Sequence, residues 1–307
     1  MTSTERRLSE NVRVRLASMP AAALDCVHLW QLDVGSSECT DQSRFGTLDS
    51  SERVRAAGFR LDRDRRTFSV ARTTLRALLG AYLARPPRTV TIGRGAYGKP
   101  HLVPCENASE LEFSVAHSGG RILYAVTRAR AVGVDVERVR HLANLSSVAR
   151  TILTPDECAS WSGLSERERV SSLYLAWVRK EAVLKGLGCG LAMRPSRIEV
   201  TLALAARSAL VLRAEGETRR SWRLFGVNQQ GGWVAAIALE GVSDATVVVA
   251  RLDGEMTTKS LPVAAPRAPF LPGAPPIEQS VAPCYRPSGS SRASLPHPEC
   301  GLPSAPL

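Results

Sequence analysis

The 307-residue sequence contains no run of about 18 apolar residues, so it offers no helix able to cross a membrane. Its first twenty residues, MTSTERRLSENVRVRLASMP, hold no apolar stretch of signal-peptide length. The acidic Glu5 and Glu10 among them speak against an organelle transit peptide, so a cytoplasmic location is expected. Seven cysteines (Cys26, Cys39, Cys105, Cys158, Cys189, Cys284 and Cys300) are odd in number and widely spaced, and none form a C-x-x-C pair. That pattern argues against a disulfide framework and against a structural zinc site. The phosphate loop G-x-x-x-x-G-K-[ST] is absent. So is the G-x-S-x-G elbow that would make Ser118 a nucleophile. No short tandem repeat occurs.

What remains is the composition of an ordinary globular chain, with 44% hydrophobic and 22% charged residues. The net charge is +11. Residues 255–307 contribute only +1 of it, from four basic and three acidic side chains, and the body carries the other +10. Such a body attracts polyanions: nucleic acid, a phosphorylated cofactor or an acidic protein. Charge alone does not choose among them.

Twelve of the nineteen prolines lie beyond residue 260, in segments such as APRAPFLPGAPP and RPSGSSRASLPHPE. This Pro- and Ser-rich tail lacks apolar periodicity, so we expect it to be disordered and the fold to end near Leu252. The body alternates strand and helix patterns. Strands are predicted at 27–34, 89–93, 111–116, 122–127, 132–137, 198–203, 221–227 and 233–239. Helical patterns cover 51–84, with a break near Gly58, a stretch from Leu145 through the 160s, and 172–188, which Gly186 and Gly188 terminate. Each half thus holds one long helix followed by strands, which indicates an α/β (α+β) fold of two similar lobes.

Four short patterns carry possible chemistry, and each also fits an ordinary structural role. In G-V-D-V-E, Asp135 and Glu137 fall on one face of a strand and Val134 and Val136 on the other. Adjacent carboxylates repel unless a cation lies between them, and oxygen ligands without His or Cys suit Mg²⁺. The pair alone fits the wet end of a strand at least as well. Trp177, Glu181 and Lys185 are spaced by four and share one helix face. They form either a surface ion pair or a third oxygen ligand with a phosphate contact. In F-S-V-A-H-S-G-G, His117 sits between a strand end and a Gly-rich turn of the kind that holds phosphate. G-A-Y-G-K-P (95–100) makes a defined loop whose backbone can approach a ligand, or a plain surface turn. Arginines 53, 55, 60, 63, 65, 66, 72 and 76 form either a solvated face or an anion-binding one.

Taken together and in order, G-A-Y-G-K-P, F-S-V-A-H-S-G, G-V-D-V-E and W-V-R-K-E-A-V-L-K-G-L-G-C-G-L closely resemble the signatures of the 4′-phosphopantetheinyl transferases of the surfactin-synthetase-activating type. The resemblance spans roughly residues 25–250. It implies two lobes related by pseudo-two-fold symmetry, each with a small sheet packed on a long helix, and coenzyme A bound between them. The organisation it implies is an N-terminal extension (1–24), an N-terminal lobe contacting coenzyme A and carrier (25–130), a C-terminal lobe with the metal ligands and catalytic helix (131–254), and the tail (255–307).

Carried onto this chain, the resemblance makes Asp135, Glu137 and Glu181 magnesium ligands and places Lys185 on the coenzyme A phosphates. It puts His117 and Arg55 at the 3′-phosphate, and Tyr97, Gly98, Lys99 and Pro100 around the adenine. Glu181, Lys185 and Glu137 would be the catalytic residues. Glu181, or a water held by Glu137, would take the proton of the attacking serine. Two positions depart from the pattern: Glu52, where some members carry a basic contact, and Ala116, where many carry Ser. The implied activity moves the 4′-phosphopantetheine arm of coenzyme A onto a serine of an acidic acyl or peptidyl carrier protein. A monomer is expected, with no nucleic-acid or membrane partner. Two competing readings are a basic nucleic-acid-binding protein, which leaves the carboxylates unexplained, and a non-catalytic relative that binds coenzyme A or carrier.

Overall fold

A computed structural model describes residues 3–19, 25–34, 47–103, 110–202, 208–210, 213–214, 221–229, 231–241, 243, 245–252 and 259–261. The expected disorder of the tail falls outside these residues, apart from 259–261. No described helix is long and apolar enough to cross a membrane.

In chain order the elements are α1 (Ser3–Ala17), β1 (Cys26–Asp33), α2 (Ser50–Ala57), α3 (Asp62–Tyr82), β2 (Ile92–Arg94), β3 (Pro100–Leu102), β4 (Leu111–Ser118), β5 (Arg121–Arg128) and β6 (Val132–Arg138). They continue with α4 (Leu145–Ile152), α5 (Pro155–Ser162), α6 (Glu166–Leu187), β7 (Ile198–Glu199), β8 (Ser208–Leu210), β9 (Arg213–Ala214), β10 (Trp222–Gln229), β11 (Trp233–Glu240), β12 (Thr246–Arg251) and β13 (Lys259–Leu261).

Two sheets dominate. The first has the order β13-β12-β1-β5-β4 and the second β6-β11-β10-β8. β1 pairs with β12 in parallel and with β5 antiparallel, so a strand from the end of the fold completes the sheet begun by the first strand. Three apolar clusters set the layering. One lies between α3 with α1 and the outer face of the first sheet, around Trp30, Leu75, Leu78 and Tyr124. A second joins α6 to the outer face of the second sheet, around Ala182, Trp222 and Ala236. A third, including Leu29, Leu123, Val134, Val136 and Ile237, fills the space between the sheets. The α/β architecture with one long helix against each sheet is therefore the one the sequence pattern indicates.

Local chemistry explains the helix ends. The helical pattern over 51–84 breaks at Gly58 into two helices. The Asp49 side chain accepts from the Glu52 N–H while Glu52 returns a bond to the Asp49 N–H, a capping box that starts α2. Thr154 and Glu157 do the same for α5, with Pro155 in its first turn. Gly188, at φ 72°, supplies the left-handed residue that ends α6.

Several boundaries differ from those read in the sequence. α6 begins six residues earlier than 172, because Ser165 and Glu168 cap a charged first turn that carries no apolar periodicity. The strand expected over 89–93 starts at Ile92, since Pro87–Thr89 form a 3-10 turn. The strand expected from 198 stops at Glu199. The N-terminal stretch, read as an extension, contains α1, whose Leu8, Val12 and Leu16 join the first apolar cluster.

β6 and α6 approach unusually closely. A Cβ on Gly133 would stand 1.8 Å from the Ala182 carbonyl oxygen and 2.5 Å from the Gly186 nitrogen. A Cβ on Gly186 would meet the Trp222 ring at 2.4 Å. Only hydrogen fits at either place, and backbone cannot yield as a flexible side chain would. Gly133→Ala should therefore lower the unfolding free energy measured in urea by about 2–3 kcal/mol or more, while Gly58→Ala, whose Cβ meets nothing nearer than 3.4 Å, should cost far less.

Candidate active site

Gly133, Asp135 and Glu137 share the face of β6 that looks toward α6, and Val132, Val134 and Val136 turn into the core between the sheets. The close approach at Gly133 brings the Glu181–Lys185 turn of α6 against these carboxylates. Asp135, Glu137 and Glu181 are all buried. The Lys185 ammonium donates to Asp135 Oδ1 at 2.6 Å. Glu137 Oε2 accepts from the Ser118 hydroxyl at 2.7 Å.

The electrostatics follow from crowding acids away from water. Burial, then the charges of Asp135 and Glu137, push the Glu181 carboxyl up to about 7 despite Lys185. Burial also raises Asp135, against the pull of Lys185. Burial disfavours the Lys185 ammonium, yet Asp135 and Glu181 outweigh it and hold that amine above its ordinary value. Among the described residues no three His, Cys, Asp or Glu side chains are arranged to enclose a metal ion as they stand. Two buried carboxylate oxygens, Asp135 Oδ2 and Glu181 Oε1, nonetheless have no hydrogen-bond partner. Unpartnered buried anionic oxygens are costly, and an oxygen-binding cation is the chemistry that would satisfy them.

His117 lies at the end of β4, near enough to Lys185 to feel its charge. Burial first, then Lys185, lowers its pKa to about 4, with Asp64 opposing, so the ring is neutral at pH 7. Arg55 stacks its guanidinium 5.4 Å from the Phe68 ring centroid, and Arg72 stands 5.7 Å from the same ring. Burial, then Arg94, lowers both arginines, Arg72 to about 10. Arg55, Arg72 and Arg94 thus crowd positive charge into one place. Arg94 was not singled out in the sequence, although it directly precedes the G-A-Y-G-K-P pattern.

Glu52 belongs to a different task. It caps α2 and accepts from buried Arg76 Nε at 2.8 Å, and Arg76 also donates to Asp49 and to the Val90 carbonyl. An acid at this position neutralises a buried arginine, which a basic residue could not do. The signal was legible, since D-S-S-E (49–52) is a capping-box pattern.

The 95–100 loop closes the β2–β3 hairpin. Gly98 adopts φ 84°, and its N–H donates to the Gly95 carbonyl. Tyr97 is 61% exposed and Pro100 opens β3. The Lys99 ammonium donates to the carbonyls of Gly186 (3.1 Å) and Val132 (3.4 Å). Lys99 therefore fastens the hairpin to the C-terminal end of α6 and the first residue of β6, where a cation also meets the negative end of the helix dipole. The structure thus gathers Asp135, Glu137, Glu181 and Lys185 in one place with His117 beside them. Tyr97, Gly98 and Pro100 occupy the adjoining hairpin, and Arg55 joins Arg72 and Arg94.

The Glu181 shift has a thermodynamic consequence. A carboxyl whose folded pKa lies above its unfolded 4.5 binds its proton more tightly when folded. Stability in chelator should then fall as pH rises from about 4.5 to about 7. Glu181→Gln should flatten that part of the melting-temperature profile; an unchanged slope would place the titration elsewhere.

Comparison with known proteins identifies the family. The family model for the 4′-phosphopantetheinyl transferase superfamily matches residues 131–238, and the one for the N-terminal region of 4′-phosphopantetheinyl transferases matches residues 37–129. The 4′-phosphopantetheinyl transferase HetI of Nostoc sp. is 32% identical over 217 residues, covering 71% of this chain and 89% of that protein. A phosphopantetheinyl transferase of Thraustochytrium sp. is 26% identical, covering 60% and 67%. The L-aminoadipate-semialdehyde dehydrogenase-phosphopantetheinyl transferase of Schizosaccharomyces pombe is 27% identical, covering 51% and 65%. With the similarity running across both sheets and through β6 and α6, the chain belongs to the 4′-phosphopantetheinyl transferase superfamily and is an enzyme of the transferase class.

Proposed function

We propose that this enzyme transfers the 4′-phosphopantetheine arm of coenzyme A to a serine of an apo acyl or peptidyl carrier protein, releasing 3′,5′-ADP, with Mg²⁺ as cofactor. The observation that carries this reading is the convergence of Asp135, Glu137, Glu181 and Lys185 with two buried carboxylate oxygens left without partners. Asp135, Glu137 and Glu181 would hold the ion, an all-oxygen set of the kind Mg²⁺ prefers. When bound, Mg²⁺ supplies positive charge to the pyrophosphate as negative charge develops in phosphoryl transfer.

The protein's own residues do the rest. Lys185 is held ionised by Asp135 and Glu181, and so offers a fixed cation to the diphosphate. The neutral His117 ring, close enough to Lys185 to feel its charge, would gain a proton when a phosphate arrives and so add a charge-assisted bond to the 3′-phosphate. The hairpin holding Tyr97, Gly98, Lys99 and Pro100 would bracket the adenine. The attacking serine hydroxyl forms a bond to the β-phosphorus of coenzyme A, and the bond to the bridging oxygen breaks, leaving 3′,5′-ADP. Glu181, or a water held by Glu137, would take the serine proton. A body of strongly positive charge would draw in an acidic carrier and speed the encounter at low salt.

Incubation with coenzyme A, Mg²⁺ and a panel of apo carrier proteins should add the mass of the arm to at least one carrier. No gain on any carrier would count against the reading. Asp135→Asn keeps the side-chain shape and removes its charge; it should lower turnover by about 100-fold or more with the fold intact by circular dichroism.

A further inference from the structure

β4 closes one edge of the first sheet and β6 one edge of the second. The two edges are not joined by a backbone ladder. Two serine hydroxyls on β4, four residues apart, reach across instead. Ser114 Oγ accepts from the Val134 N–H at 3.1 Å, and Ser118 Oγ accepts from the Arg138 N–H at 3.3 Å. Ser118 does more than Ser114, because its own hydrogen is given to Glu137 Oε2 at 2.7 Å. The hydroxyl is thus pinned from both sides, and its direction is set by the Arg138 amide. One Glu137 oxygen is committed to this bond.

The position of Ser118 is itself over-determined. It pairs with Arg121 across a two-residue hairpin of Gly119 and Gly120, both at positive φ (49° and 91°). The turn lies on Trp233: a Cβ at Gly119 would meet the Trp233 ring at 2.9 Å and Arg138 Cδ at 3.3 Å. The Arg121 and Arg138 guanidiniums stand 4.8 Å and 5.9 Å from the Trp233 ring centroid, and Asp33 pairs with Arg121. Residues from β1, β4, β5, β6 and β11 therefore brace the turn that follows Ser118, while β6 alone holds its hydroxyl.

We propose that Ser118 is a positioning residue that orients the Glu137 carboxylate for metal binding, its hydroxyl holding Oε2 in a direction that the Arg138 amide sets. The inference rests on the proposed magnesium site. It also ties the hairpin end of the first sheet, where His117 stands, to a ligand in the second.

Titration calorimetry with Mg²⁺ alone, on the full chain, tests this. Ser118→Ala should weaken Mg²⁺ binding about 10-fold, in the range expected for loss of an outer hydrogen bond to a ligand, and Ser118→Thr, which keeps the hydroxyl, should restore most of it. In a Glu137→Gln background the Ser118→Ala change should have no further effect on Mg²⁺ affinity, since the carboxylate it orients is gone. Coenzyme A binding in chelator should be the same for Ser118→Ala and the parent. Mg²⁺ affinity within twofold of the parent for Ser118→Ala, or an equal loss in the Glu137→Gln background, overturns the assignment while leaving the functional reading intact. A parent that binds no Mg²⁺ overturns the functional reading, and this inference with it.

Discussion

The contact on which the site depends is backbone against backbone: β6 lies on α6 with a single hydrogen atom, that of Gly133, between them. Every acidic group at the centre is carried by one of these two elements. Asp135 and Glu137 follow Gly133 at two-residue steps along the strand, and Glu181 and Lys185 flank Ala182 and Gly186 along the helix. Were the helix held off by even one methyl group, the two sets would separate and the ammonium of Lys185 would lose Asp135. The glycine thus sets a distance, and the charges exploit it.

That distance makes the centre electrostatically unfavourable when left alone. Three carboxyl groups are withdrawn from water and face one ammonium. The protein meets the imbalance by raising the Glu181 carboxyl to about 7, so that it gives up its proton only near neutrality, and by sharing Lys185. A second, independent buried pair shows how the fold treats acids that serve structure only: Glu157 binds the Lys180 ammonium at 2.5 Å and the Val200 N–H at 2.7 Å, so both its oxygens are partnered. A fully satisfied Glu157 contrasts with an Asp135 that keeps one bare oxygen, the difference that the proposed metal site accounts for.

Much of this was legible in the sequence, because strand alternation and helical spacing are local. G-V-D-V-E gives the facing of Asp135 and Glu137 from period two alone, and W-x-x-x-E-x-x-x-K puts Glu181 and Lys185 on one stripe. That strand and helix meet is not local information, and only resemblance to a family supplied it. The reach of Lys99 to Gly186, 87 residues away, has no sequence signature. Nor has the role of Arg94, whose significance lies in its proximity to Arg55 and Arg72. Glu52 shows the opposite case: D-S-S-E is a local capping pattern, whereas the arginine that the acid neutralises lies 24 residues away. The early start of α6 was hidden because its first turn is all charge, and α1 because its apolar residues are few.

The parallel seating of Thr246–Arg251 beside Cys26–Asp33 bears on how the chain reaches its folded state. A ribosome releases the first strand more than two hundred residues before the partner that covers it. Until then the nascent first sheet carries an open hydrogen-bonding edge, one that invites pairing with a foreign strand. The N-terminal half therefore leaves the ribosome with its sheet still incomplete. Maturation waits on a pairing of high sequence separation, and such closures are slow.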